Sequence, residues 1–370
     1  MEYILETIVI VTVFGALVFL ANIAEQRKEW KSLFYFVLLS GNGVMLLGGL
    51  ISIFMSENDD EFYGGLAFVI TGIVASILLW LPVRLALVVI FPKKKDAAPT
   101  QSSTSISWLP FMMLHEEDIM YVPQGISEQV ELSSAHQSTP QKQNELIGYN
   151  PHSMVHLLAL VMGVYVLGGQ IGLFILGGGL AGYADSIEIT FLSLLPNFVP
   201  FVVLSLLGVG WLSRRSWSEV LARLGLTPPT FSDIFTGILA AFGLFFLQGM
   251  LGVMWALIVG LERFEEQTQA SGAIAESINT VWLALAVALT AGIGEEIAFR
   301  GALQPIFGLW WTAVFFTLVH MQYTLTPAAL IIFIVAIAFG YLRRYYGLYA
   351  VIVAHFLYNF IQLFLNVWLG

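Results

Sequence analysis

VWLALAVALTAGIGEEIAFRGAL, residues Val281–Leu303, is a run of 23 residues whose only charges are Glu295, Glu296 and Arg300. As an α-helix it would reach about 34 Å, enough to cross the roughly 30 Å hydrocarbon core of a bilayer. Runs of this kind recur from end to end of the chain. Of the 370 residues, 58% are hydrophobic and 11% charged, with a mean hydropathy of +0.83, against about 25% charged in soluble domains. No water-soluble fold of this length could bury so much apolar surface. The sequence predicts an all-α, multi-pass transmembrane bundle with ten spans, at about 7–24, 33–55, 64–91, 153–183, 189–212, 234–260, 281–304, 309–323, 327–342 and 348–369.

The charges set topology and exclude other classes. A net charge of −10 with 15 Lys+Arg offers no basic patch for nucleic acid, which is not an expected partner. With no cysteine there is no disulfide framework, thiolate metal site, iron–sulfur cluster or Cys nucleophile. The first run, Thr7–Ala24, follows Glu2 and Glu6 and no basic residue, which marks a retained helix rather than a signal peptide. With the amino terminus outside, every Lys and Arg except Arg263 falls on an inner segment, so both termini are expected away from the cytosol. The outer segments are acidic, with Glu57, Asp59, Asp60 and Glu61, then Glu262, Glu265 and Glu266.

Three parts are expected: a three-helix unit at 1–92, a polar cytosolic linker rich in Ser, Gln, Thr and Pro at 93–152, and a seven-helix unit at 153–370. Within the linker, Trp108–Leu114 is apolar but too short to cross a bilayer, and the acidic run Glu116–Asp118 beside His115 is not HExxH. Gly168 and Gly172, four apart, suggest close helix packing. No repeat argues for an inverted-repeat transporter.

An ionisable group at mid-membrane costs about 2.5–3.5 kcal/mol on insertion scales, so its presence asks for a role. Glu295, Glu296, Arg300, His320, His355 and Asn359 all lie in the last four spans. Glu296 and Arg300 are four apart on one helix face, so the arginine neutralises that acid, while Glu295 is turned about 100° away and stays available as a base. His355 and Asn359, also four apart, look the same way and present two hydrogen-bonding groups together. Phe316 stands one turn from His320. Counted from the inner ends of their spans, Glu295, His320 and Asn359 lie about 15 Å deep and His355 about 9 Å, which suggests a single site reached from the cytosol.

EExxxR (Glu295, Glu296, Arg300), FxxxH (Phe316, His320) and HxxxN (His355, Asn359), in that order and in separate apolar segments, resemble the CPBP family. That family groups CAAX prenyl endopeptidases of the Ras-converting type with bacterial relatives linked to bacteriocin processing or self-immunity. The likeness covers about residues 281–370 and is loose over 153–280. It implies a glutamate-type intramembrane peptidase in which Glu295 and His320 polarise a water, His355 and Asn359 stabilise the oxyanion, and Glu296, Arg300 and Phe316 support them. No cofactor is expected on that reading. The partners it implies are membrane lipid and a peptide or lipidated-protein substrate, in a bacterial plasma membrane. Two other readings stay open: a zinc protease with Glu295, His320 and His355 as ligands, and a non-catalytic scaffold, immunity factor or transporter.

Overall fold

Asn58 accepts a hydrogen bond from the backbone N–H of Glu61, Ser153 does so for His156, and Thr230 for Asp233, so three of the long helices begin at side-chain caps. The computed structural model describes residues 1–92, 147–179, 182, 188–323 and 326–369. Its helices are α1 (Glu2–Gln26), α2 (Trp30–Met55), α3 (Asp59–Leu78), α4 (Leu81–Leu87), α5 (Met154–Leu176), α6 (Leu195–Gly208), α7 (Trp217–Leu224) and α8 (Phe231–Val259). There follow α9 (Leu261–Ser277), α10 (Val281–Glu296), a π-helical segment (Ile297–Leu303), α11 (Gln304–Leu318), a 3-10 turn (Met321–Tyr323), α12 (Ala328–Tyr346) and α13 (Leu348–Leu369). Among the described residues the regular structure is helical. Most of the expected linker, with Trp108–Leu114 and the His115–Asp118 run, lies outside the described residues.

Met1–Lys94 and Asn144–Gly370 form one compact unit. Here α1 lies against α5 and α6, α2 against α3, and α3 against α5. A Cβ at Gly172 would come within 2.8 Å of the Phe68 ring, so the expected close packing of α3 on α5 requires glycine there. Val18, Phe34, Leu38, Leu157 and Val161 make the core of this half. In the other half α13 is held between α8 and α10, and α12 lies against α11, α13 and α8. Large apolar side chains such as Phe54, Phe246 and Leu257 are more than two-thirds exposed, as lipid-facing groups are.

Eight helical runs among the described residues are long and apolar enough to cross a membrane. They differ from the ten expected spans in two places. Leu195–Gly208, with Pro196 and Pro200 in its turns, is a shorter apolar helix. The spans expected at 281–304 and 309–323 lie in the one apolar run Val281–Leu318, but the backbone is non-helical at Gly308, with φ 82° and ψ 170°, so the two meet at a kink close to the expected boundary. Only glycine adopts that conformation without strain. The helix ends at Leu318, so His320 stands just beyond its tip rather than inside a span. Leu261–Ser277, in the acidic segment read as an outer loop, is the polar helix α9, which touches α8, α13 and the Met321–Tyr323 turn.

Pro305, just after the π-helical segment, lacks an N–H and so leaves one carbonyl about a turn earlier without a helical donor. Arginines bind the carbonyls of this turn: Arg343 Nε donates to the Arg300 carbonyl at 3.2 Å, and Arg223 donates to Gly301 at 3.0 Å and Ala302 at 3.3 Å. Burial, with the charges of Arg215 and Arg343 adding to it, pushes the Arg223 guanidinium down to about 9. The turn that carries Glu295, Glu296 and Arg300 is thereby pinned from α7 and from α12.

Candidate active site

Glu295 and Glu296 are the last two residues of α10, and Arg300 is four residues on, in the π-helical segment. Adjacent positions on a helix point about 100° apart, so the two carboxylates enter different surroundings. Their neighbours separate them further.

Glu296 is fully enclosed. Its Oε1 accepts from Arg300 Nη1 at 3.0 Å and from His355 Nδ1 at 2.7 Å. Its Oε2 has no hydrogen bond. Arg300, 1% exposed, also donates from Nη2 to the Ala336 carbonyl, and its guanidinium lies 4.2 Å from the centre of the Phe316 ring. A buried cation survives in such a place only when paired and hydrogen-bonded, and the ring face adds a favourable quadrupole contact. The Glu296–Arg300 pair expected from the spacing is made. His355 also commits Nδ1 to Glu296, a contact its spacing to Asn359 does not foretell, and Asn359 makes no hydrogen bond among the described residues.

Glu295 is in another situation. Its side chain and that of His320 are each 19% exposed, and Glu295 Oε2 lies 3.8 Å from His320 Nε2. That is beyond a direct hydrogen bond, and Oε2 has no other partner. His320 Nδ1 sits 2.7 Å from the Phe316 carbonyl, which can only accept, so Nδ1 carries a proton and Nε2 is the nitrogen turned towards Glu295. At 3.8 Å the carboxylate and the ring nitrogen are placed so that a water can bridge them.

Phe316 joins the two clusters. Its ring lies 4.4 Å from that of His320, 6.2 Å from that of His355 and under the Arg300 guanidinium. Phe339 on α12 stacks on His355 at 4.9 Å, and Tyr323 on His320 at 6.4 Å. Neither aromatic was singled out from the sequence, because an aromatic in an apolar helix carries no charge to flag it. Ile297 to Gly301 are all buried, so the face of the site towards the arginine-pinned turn is closed.

Among the described residues no three His, Cys, Asp or Glu side chains are grouped so as to hold a metal ion. His355 donates Nδ1–H to the Glu296 carboxylate, which leaves its Nε2 as the nitrogen able to meet a ligand.

Residues 277–361 match the family model described as Rce1-like, type II CAAX prenyl endopeptidase Rce1-like. Comparison with curated proteins and with solved structures gives no match. The matched segment holds all seven residues of the three motifs, six of them on helical runs long and apolar enough to lie in a membrane and His320 just beyond the end of one. Over these residues the chain is similar to the type II CAAX prenyl endopeptidases of the Rce1-like family, which supports a membrane-protease reading at family level.

Proposed function

We propose that this domain is a glutamate-type intramembrane endopeptidase acting on a membrane-associated or lipidated protein or peptide. The observation that carries the reading is the facing pair Glu295 Oε2 and His320 Nε2, 3.8 Å apart, with His320 Nδ1 held by the Phe316 carbonyl. A water between them gives its proton to Glu295 as its oxygen attacks the scissile carbonyl carbon. The carbonyl π electrons move to oxygen. His355, held by Glu296 through Nδ1–H, in its protonated form offers Nε2–H to that oxyanion, and the Asn359 amide offers a second donor. The intermediate collapses, the C–N bond breaks, and Glu295 returns the proton to the leaving amine. Counted over the ten spans expected from the sequence, the positive-inside distribution supports placing both termini outside the cytosol.

Purified protein incubated with a peptide library in detergent tests this. Cleavage products formed by the wild type and lost in His320→Ala are the expected result. An intact library in every preparation of folded wild type would remove the peptidase reading.

A further inference from the structure

The polar lining does not end at Glu295 and His320. Gln248 on α8 and Tyr358 and Gln362 on α13 form a closed hydrogen-bonded set. The Tyr358 hydroxyl donates to Gln248 Oε1, Gln248 Nε2 donates to Gln362 Oε1 at 2.8 Å, and Gln362 Nε2 donates to the Tyr358 carbonyl at 2.9 Å. Gln362 follows His355 by seven residues, two helical turns, and so shares its face, with Asn359 between them. The Tyr358 and His355 rings both pack on Phe339. The set is thus continuous with the His355 cluster of the site. It also opens on a cavity of about 240 Å³ lined by Phe245, Phe246, Gln248, Gly249, Met250 and Gln362. Phe246 and Met250 are exposed as lipid-facing groups are, and nothing lies within 4 Å of where a Cβ on Gly249 would stand.

Two primary amides on the wall of a membrane cavity ask for a use. A peptide carbonyl inside an α-helix is bonded to the N–H four residues on, so attack at Glu295 requires a few substrate residues to unwind. Each backbone N–H and C=O so released is unfavourable in hydrocarbon unless it finds a partner. A carboxamide carries donors and an acceptor together, and Gln248 and Gln362 each use only one of two N–H groups within the set. That matches an extended peptide backbone as a neighbouring strand would.

We infer that the cavity between α8 and α13 is the subsite that holds the unwound substrate backbone beside the scissile bond, with Gln248 and Gln362 as specificity-determining residues. The inference rests on the peptidase reading. It is tested with a peptide cut by the wild type, presented in a helical form and in a form loosened by Gly–Gly at the cleavage point. Gln248→Leu and Gln362→Leu should each raise KM for the helical form by about tenfold or more, the loss of one or two hydrogen bonds, with kcat within about twofold. The loosened form should be affected less, and Gln362→Asn should recover part of the loss. Should either leucine variant fail to fold, a benzophenone-bearing peptide bound to Glu295→Gln protein reads the same contact, by labelling residues 245–250 or 358–362. Unchanged KM in folded leucine variants, or labelling confined to other segments, would overturn the subsite while leaving the peptidase standing. No cleavage by the wild type would overturn both.

Discussion

Glu295 and Glu296 are neighbours in sequence and opposites in setting. Around Glu296 the groups are enclosed: the side chain has no exposure, one of its oxygens takes both Arg300 and His355, and Phe316 and Phe339 shut the cluster off. Around Glu295 the pair with His320 is open by 19% on each side and stops short of a hydrogen bond. A carboxylate whose charge is neutralised and walled in holds helices together, whereas one facing an imidazole nitrogen across a gap can take and return a proton. On the proposed reading the same residue type serves architecture at one position and chemistry at the next.

The comparison breaks first if Glu296 proves dispensable. Glu296→Gln leaves Arg300 charged in an enclosed site, and removing one member of a buried pair costs about 3–5 kcal/mol. The expected result is a large drop in melting temperature or loss of the folded peak on size exclusion. Replacing both members by apolar residues, Glu296→Leu with Arg300→Met, should recover much of that stability. A Glu296→Gln protein as stable as the wild type would mean that the enclosed cluster is not held by charge.

The open side is sharpened by Asn359→Ala. Its side chain is partly exposed and bound to nothing described, so melting should be unchanged, while losing an oxyanion donor should lower kcat about 10²–10³-fold. A variant with full activity would leave His355 as the sole oxyanion group. Phe316 belongs to both clusters, and Phe316→Leu should therefore show both effects in smaller measure. Losing the ring under Arg300 should cost about 1–2 kcal/mol of stability, and the loosened His320 should lower the cleavage rate as well. An effect on stability alone would detach Phe316 from the chemistry.

What could be read from the sequence was what is local. The Glu296–Arg300 pair follows from four-residue spacing, and the proximity of Phe316 to His320 from the same rule. The membrane class follows from apolar runs that no aqueous core could bury. What depends on how one helix is placed against another was not legible. His355 reaches Glu296 across 59 positions of sequence, a contact set by the packing of α13 on α10 and not by any spacing within α13. The kink at Gly308 falls where two expected spans meet, but its angle was not to be read, since a glycine in an apolar run is as compatible with packing as with a turn. The polar helix α9 hid in an acidic segment because hydropathy, the guide to the spans, is silent on helices outside the bilayer.

The most direct measurement is the cleavage rate of Glu295→Gln beside its melting temperature, on the same preparation as the wild type. The substitution removes a base and keeps the shape. The rate should fall by about 10³-fold or more while the melting temperature stays where it was. Cleavage at the wild-type rate by a folded Glu295→Gln protein would contradict the assignment of this carboxylate as the base.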